Sequence, residues 1–474
     1  MKNNHQIPTI LILFGATGDL MGRKIVPALF NLYRKSKFPK PIYIIGFGRR
    51  NLTNDQYRQR LVSLIPHGQA DEIRAFVNHF YYQLGDFNDK AAYHSLSDTI
   101  HAISSHAKIC AHKLFYLAVP PQYYSNIFTN LHISGSLIKC ADGQGWTRVI
   151  VEKPFGKDSE TAQKLDNQLS QLFEEDQIYR IDHYLAKEML QNILSFRFAN
   201  NILEDSWNSK MVEKIEIKLW ETLGVEDRIQ FYDGVGALRD VGQNHLMQML
   251  SLITMENPNK FEAAQIRQKR ANLLALVKTP DLKDIKSDSF RAQYQGYQEI
   301  DQVVPHSKTE TFFKIKLNLT SPRWKEVPIF IESGKKMKNA RKEIIVTFKH
   351  PNPCFCPKGL QHYQNKVVFQ LEPKEKIIIQ LLAKKPGFNY EIEPRQMQFS
   401  LHRKHYQNQY AGEYEKLLSD AIMGDQTLFV SSSEIKEMWR IIDPIEKAWD
   451  QNVIPLKYYK PNSNQASKMA ELSI

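Results

Sequence analysis

Along the first 180 residues, short continuous apolar runs alternate with stretches in which apolar side chains recur every three to four positions. The runs at Thr9–Phe14, 41–47, 81–84, 113–119 and 148–153 read as strands, since apolar runs this short between turn signals suit strands better than buried helices. The stretches between them, reaching to Tyr33 and Phe80 and spanning 91–104 and 123–131, carry the period of amphipathic helices. Near-continuous apolarity at 10–14 and 149–151 fits parallel strands covered on both faces. Residues 1–181 are therefore predicted to form a doubly wound α/β domain of Rossmann type, an arrangement that binds nucleotides.

Past residue 200 the period changes to two. Alternating segments at Val212–Trp220, 311–319, 344–348, 367–371 and 376–382 predict a large, mainly antiparallel sheet that is polar on one face. Helical stretches at 238–255 and 261–276 interrupt the first part, and 414–423 and 433–449 close it. Residues 182–474 are read as an α+β domain for substrate binding and dimerisation, its sheet free to face a second subunit. The tail 461–474 is polar and is expected to be mobile.

Composition narrows the function. A chain of 474 residues holds two such domains, and 42% hydrophobic with 24% charged residues is ordinary for a globular protein. No apolar run approaches the ~18 residues of a membrane span, and the polar start runs straight into the first strand without a signal-peptide pattern. A cytoplasmic protein with no membrane partner is expected. Four cysteines, two of them at Cys354 and Cys356, make neither a disulfide framework nor a paired zinc site, so no metal and a reducing compartment are expected. The formal charge of +12 is spread along the chain. Its densest cluster, Lys335, Lys336, Lys338, Arg341 and Lys342, follows a strand rather than lining a helix, which suits a phosphorylated small molecule and gives no nucleic-acid module.

The chemistry concentrates at Arg180-Ile181-Asp182-His183-Tyr184-Leu185-Ala186-Lys187-Glu188. With a strand over 177–181 and a helix over 186–198, His183 and Lys187 would share one face near a helix start, a cradle for phosphate. The plainer reading is a solvated helix start capped by Asp182. Gly15-Ala16-Thr17-Gly18-Asp19-Leu20 follows the first strand, where a dinucleotide fold seats its pyrophosphate. At the end of the second strand Arg49, with Arg50 beside it, stands where NAD-binding folds keep an acid, and a guanidinium there suits the 2′-phosphate of NADP. Glu152-Lys153-Pro154-Phe155-Gly156 leaves a strand at the ligand edge, and a Lys-Pro step is compatible with a cis peptide. His245 precedes an apolar helix and becomes a candidate general base if a carboxylate orients it; Asp182 and Asp240 both qualify. Glu221 ends a strand as a possible acceptor for a sugar hydroxyl.

Together these stretches resemble glucose-6-phosphate dehydrogenases. The resemblance runs in the family's order through 15–20, 114–121, 152–156, 180–188, Arg197-Phe198-Ala199-Asn200, 239–245, Arg323-Trp324 and Gly334-Lys335, with weaker echoes at 413–418 and 438–441. It implies oxidation of glucose 6-phosphate at C1 to 6-phosphogluconolactone with NADP, the first oxidative step of the pentose phosphate pathway, in a homodimer or a dimer of dimers. By this resemblance His245 is the base and Asp182 its orienting partner. His183, Tyr184 and Lys187 grip the 6-phosphate with help from Lys335, while Glu221 and Asp240 hold sugar hydroxyls. Lys153 lies between cofactor and substrate, Arg49 on the 2′-phosphate, and Tyr116 and Asp86 near the cofactor.

Four positions depart from the family pattern. Ala186 replaces a glycine, Glu332 an arginine and Glu326 a glycine, and Ala340 stands where a second basic contact is expected, with Arg341 beside it as a substitute only if the local chain carries a one-residue shift. These changes predict a weakened or retuned phosphate end. They also keep open an alternative, an impaired NADP-binding regulatory paralogue.

Overall fold

The computed structural model describes residues 7–141, 144–353, 363–401 and 409–473, and the chain divides into two compact units. One comprises 1–186, 262–264 and 411–435; the other comprises 187–261, 265–410 and 436–474. The first unit thus takes back a late segment, a return that the single cut at 181/182 does not contain.

In the first unit β1 (Thr9–Phe14), β2 (Ile42–Gly48), β3 (Phe80–Leu84), β4 (His112–Leu117), β5 (Thr147–Val151) and β6 (Ile178–Ile181) form a sheet. Their order is β3-β2-β1-β4-β5-β6, all parallel, and Phe429–Val430 adds an antiparallel strand beside β6. All six residues of β1 are buried, which is why its sequence lacks alternation. Helices Val26–Arg34, Asn54–Ser63, Lys90–Ala107, Tyr124–Ile133 and Ser159–Ser170 connect the strands. Asn54–Ser63 begins at a capping box in which Thr53 Oγ1 accepts the Gln56 N–H at 3.2 Å and Gln56 Oε1 accepts the Thr53 N–H at 2.9 Å, worth ~1 kcal/mol. The strand order reverses between β1 and β4, and the crevice at that reversal is where such folds hold a ligand.

Cys110 and Cys140 are joined by a disulfide with Cα atoms 5.8 Å apart, a bond not foreseen where no disulfide framework and a reducing compartment were expected. Their separation of 30 residues conceals that both lie at the entry to adjacent strands: Cys110 leads into β4, and the segment after Cys140 into β5. Cys354 and Cys356 lie outside the described residues.

The second unit is built on a nine-stranded sheet. Its strands are β7 (Val212–Trp220), β8 (Ser289–Tyr294), β9 (Phe312–Leu317), β10 (Ile329–Gly334), β11 (Arg341–Phe348), β12 (Lys366–Glu372), β13 (Lys376–Lys384) and β14 (Ile392–Ser400), with the short strand Lys457–Tyr459 on the edge next to β8. Pairing is antiparallel except for β7 with β10 and Lys457–Tyr459 with β8. The polar face carries a row of alternating charge, in which Glu343, Lys218, Glu332 and Lys314 stand side by side on β11, β7, β10 and β9. Glu332 is buried between the two lysines, with Lys314 at 4.0 Å, and burial raises its carboxyl above the usual range. The acid at this departure from the family pattern is thus part of a row of opposite charges.

The tail is ordered, contrary to the polar reading of 461–474. Gln465–Met469 is helical, Ala466 and Ala470 are buried among Tyr294, Phe312, Met337 and Tyr459, and Lys314 donates to the Ala470 carbonyl at 2.9 Å. Ala466 on the helix and Ala470 just past it present small apolar side chains to this cluster, while Gln465, Ser467 and Lys468 are polar. No helix among the described residues is long and apolar enough to cross a membrane.

Candidate active site

In the first unit the glycine turn leaves β1 with Gly15 at φ +80°, and a β-carbon there would strike the Ala118 carbonyl just past β4. The backbone can therefore approach β4 only as glycine. The Gly15 and Ala16 N–H groups are spent on the Phe47 carbonyl at 3.1 and 3.2 Å, and Gly18 N–H bonds Gly15 O at 2.8 Å. Donors for a pyrophosphate must then come from the start of the following helix, beyond Thr17 at Asp19 and Leu20. Exposed Asp19 pairs with Arg23 at 3.1 Å. Arg49 and Arg50 leave β2 exposed, and no ion pair holds Arg49 among the described residues. The Tyr82 hydroxyl bonds the carbonyls of Gly48 and Arg50 at 2.9 and 2.7 Å and so fixes the path of this exit; nothing in the sequence singled it out. The turn, the missing acid and the two open guanidinium groups fit a dinucleotide with a phosphorylated ribose.

Asp86 follows β3 and is exposed, its carboxylate accepting the Asn88 N–H at 3.0 Å in a local turn. Tyr116 on β4 is fully buried and donates to Glu152 Oε1 at 2.6 Å; Tyr414, from the returning segment, also hydrogen-bonds this carboxylate. Burial raises the Glu152 carboxyl to about 7, against the opposing pull of the two phenols and Lys153. Sequence reasoning passed over Glu152 and gave Tyr414 no role; a carboxylate next to a ligand-edge lysine was the available signal. The Lys153-Pro154 peptide is cis.

Asp182 follows β6 and is buried, and its Oδ1 accepts the Tyr184 N–H at 3.0 Å. It caps a 3₁₀ turn, His183–Ala186, and the α-helix starts only at Glu188 with Lys187 extended at its N-cap. The expected helix from 186 is corrected: His183 and Lys187 do not share a helical face, because Asp182 draws the chain into a tighter turn first. His183 is half-buried, its ring 5.0 Å from that of Tyr184 and stacked 6.4 Å from that of Tyr414. Ala186 lies inside the 3₁₀ turn, and the left-handed non-glycine residues are elsewhere, so the missing glycine does not disturb it.

In the second unit Lys335, nearly buried just past β10, donates to Glu221 and lies 3.6 Å from Asp240. Arg228, which the sequence reading missed, forks onto Asp240 through both terminal nitrogens. Glu221, Lys335, Asp240 and Arg228 therefore form one alternating network. Asp240 and His245 share a nine-residue π-helical stretch, Leu238–Leu246, where His245 is buried and its N–H is held by Asn244 Oδ1 at 2.7 Å. Interruptions of this kind are frequent at functional sites.

Lys187 lies 3.6 Å from Glu372, and Lys342 reaches the other oxygen of that carboxylate at 2.8 Å. Arg341 is exposed, opposite Trp220 in the sheet register, with its guanidinium over the Trp220 ring and 3.3 Å from Glu343. Adjacent strand residues point to opposite faces, so Arg341 and Lys342 cannot both serve one site.

Comparison with known proteins gives a consistent result. Residues 12–192 match the family model described as glucose-6-phosphate dehydrogenase, NAD binding domain, and residues 194–473 match the model of the C-terminal domain. A glucose-6-phosphate 1-dehydrogenase of Bacillus subtilis is 36% identical over 479 residues, 98% of this chain and 96% of its own. That of Borreliella burgdorferi is 35% identical over 450 residues, 93% of this chain and 91% of its own. A solved glucose-6-phosphate dehydrogenase in complex with its substrate glucose-6-phosphate superposes with a TM-score of 0.86 at 32% identity, covering 96% of this chain and 95% of that one. A glucose-6-phosphate 1-dehydrogenase structure from Mycobacterium avium gives 0.82 at 31%, covering 97% of each chain.

Proposed function

The chain belongs to the glucose-6-phosphate dehydrogenase family, oxidoreductases acting on the CH–OH group of glucose 6-phosphate, and from that premise we propose how its own residues carry the reaction. The reaction is oxidation of glucose 6-phosphate at C1 to 6-phosphogluconolactone, and it enters the pentose phosphate pathway. The observation that carries this reading is the match of both family models, which together cover nearly the whole chain. Nothing supports the alternative of an impaired regulatory paralogue.

His245 removes the C1 hydroxyl proton, and Asp182 orients the imidazole and stabilises its cation. A nicotinamide dinucleotide, when bound, would supply the acceptor for the C1 hydride. Glu221 and Asp240 hold sugar hydroxyls; their network with Lys335 and Arg228 supports this, because it fixes both carboxylates without help from substrate. His183, Tyr184 and Lys187 grip the 6-phosphate, and Lys153 stands at the cofactor edge. The second cation for the phosphate is Lys342 rather than Arg341, a reading supported by the carboxylate that Lys342 and Lys187 share. The cofactor is NADP, supported by Arg49 where an acid would select NAD. Tyr116 and Asp86 remain on the cofactor side.

The protein works as a homodimer through its large sheet. Leu381, Met397 and Phe399 support this, exposed on one face of the outer strands β13 and β14. Sedimentation of the wild type against Met397→Lys tests it: a monomeric wild type defeats the dimer. A cytoplasmic setting is supported by a 35% identical Arabidopsis thaliana relative named as cytoplasmic, while the Cys110–Cys140 bond speaks against a uniformly reducing one.

The deciding experiment compares NADPH formation from glucose 6-phosphate by the wild type and His245→Ala, with NADP affinity measured separately. The expected outcome is loss of ~10²- to 10⁴-fold in kcat at unchanged NADP affinity. A wild type that binds NADP and turns over no hexose phosphate would falsify the reading.

A further inference from the structure

The π-helical stretch Leu238–Leu246 carries Asp240 and His245, and its N-terminal N–H groups have no partner within the helix. The Leu238 N–H is taken by Glu310 Oε1 at 2.8 Å. The backbone of the same residue holds the approach to the helix: its carbonyl accepts the Ala237 N–H at 3.1 Å and the Tyr232 hydroxyl at 3.2 Å. Gly236 sits at φ +80°, and a β-carbon there would fall on the Glu310 carboxylate, so the glycine and the acid are matched. Glu310 comes from the segment before β9, far along the chain from the helix it caps, and is 4% exposed.

We propose that Glu310 is a positioning residue for the reaction, its carboxylate fixing the first N–H of the π-helical stretch and through it the placement of Asp240 and His245. The inference rests on the reading of His245 as the base. Three features favour it over simple packing. A carboxylate at a helix N-terminus meets the positive end of the helix dipole, an interaction that a buried apolar residue cannot supply. Charged groups converge on the site: a cavity of about 310 Å³ is lined by Asp233, Arg239, Arg291, Lys308, Glu310 and Glu446, beside Val235, Val304 and Trp449. Burying a carboxylate where nothing recruits its charge would also be costly.

The groups facing Glu310 make the cap sensitive to pH. Glu446 lies on the closing helix, buried, with Arg239 Nη2 at 3.2 Å from its Oε2 and at 3.7 Å from Asp450. Arg291 on β8 lowers the Glu310 carboxyl, as Arg239 does, and Tyr232 stands beside its backbone. Burial outweighs these cations and raises Glu310 to about 7, while burial and Glu310 itself raise Glu446 well above the usual carboxylate range. Below about pH 7 a proton on Glu310 removes the charge that meets the helix end. The acid side of the rate profile should then carry this proton in addition to the one on His245.

The test is steady-state kinetics against pH for Glu310→Ala and Glu310→Gln in the full chain, with NADP affinity and thermal denaturation as controls. Expected is a fall of ~10- to 100-fold in kcat for Glu310→Ala at NADP affinity within about twofold, since misplacing catalytic groups by about an ångström costs up to ~10²-fold. Glutamine keeps an acceptor for the Leu238 N–H, so Glu310→Gln should recover to within a few-fold of wild type and show a shallower acid limb. Wild-type kcat in Glu310→Ala overturns the proposal, as does a Glu310→Gln enzyme with an unchanged acid limb, and this second readout stands even if the alanine variant does not fold. His245→Ala separates the two levels: full activity there removes the premise, whereas an inactive His245→Ala beside a normal Glu310→Ala removes only this inference.

Discussion

The two units present their cations in opposite ways. In the first, Arg49 and Arg50 stand exposed at the end of β2. In the second, Lys335 is held by Glu221 and Asp240, and Lys187 and Lys342 by Glu372. An anion reaching the first unit meets open guanidinium groups, while one reaching the second must draw lysines away from carboxylates. On the proposed reading the first arrangement gives affinity and choice of cofactor. On the same reading the second gives selectivity, since only a dianion in the right place offsets the exchange. After the loss of the base itself, the largest effect should come from removing an open cation. Arg49→Ala is expected to weaken NADP by about 10- to 100-fold, the worth of a charge-assisted bond of ~1.5–3 kcal/mol, and to leave NAD unchanged. Measuring kcat/KM for both cofactors checks it; equal losses for the two would put Arg49 outside the 2′-phosphate site.

The carboxylates differ in the same sense. In the second unit Glu221 and Glu372 sit on ammonium groups, whereas Glu152 in the first is surrounded mainly by phenols, and burial raises it to about 7. A folded-state value above the unfolded one means that the folded form binds the proton more tightly. The stability contributed by protonated Glu152 is therefore full below about pH 4.5 and is lost as pH rises through about 7. The loss is on the order of 2–3 kcal/mol. Denaturant unfolding at pH 5.5 and pH 8 should show a smaller pH difference for Glu152→Gln than for wild type. An identical pH dependence in the two proteins would place the titrating group elsewhere.

What could be read from the sequence follows the same division. The proposed nucleotide side is built from contiguous pieces: Gly15 to Leu20 at one strand end, Arg49 at the next and Lys153 at a third. Strand pattern and turn chemistry are enough to bring these together. The network of the second unit draws on positions 221, 228, 240 and 335, and the shared carboxylate links 187, 342 and 372; no local pattern carries such spacing. Arg228 was missed for that reason. The 3₁₀ turn after Asp182 was missed because its residues also suit a helix, and a side-chain cap decided between them. The tail was misread because Ala466 and Ala470 carry too little hydrophobicity to stand out.

Ala340 makes the phosphate end the sharpest point of the comparison. If Lys342 is the second cation, Lys342→Ala should raise the KM for glucose 6-phosphate about tenfold with little change in kcat, one charged contact less the cost of leaving Glu372. Glu372→Gln should lower that KM severalfold by releasing both lysines, and Arg341→Ala should leave it unchanged. A KM that responds to Arg341 and not to Lys342 would reverse the assignment and require the strand to present its other face.

The smallest effect tests whether the departures from the family pattern trade away function or merely stability. Glu326 stands where the family has glycine, and it keeps a glycine conformation, φ +65°. It is the third residue of a turn closed by Val327 N–H on the Trp324 carbonyl at 3.1 Å, the position that calls for a left-handed residue. Its side chain is exposed and makes no hydrogen bond or ion pair among the described residues, so nothing is lost by removing it. An L-residue in this region costs ~1–2 kcal/mol, and glycine returns part of that gain through its freer unfolded chain. Glu326→Gly should therefore stabilise the protein by ~0.5–1 kcal/mol, a rise in Tm of a few degrees at most, with kinetics unchanged. Glu326→Ala, which keeps the β-carbon, should give no such gain. Equal stabilisation by alanine would mean that charge on the loop, and not backbone conformation, is what Glu326 costs.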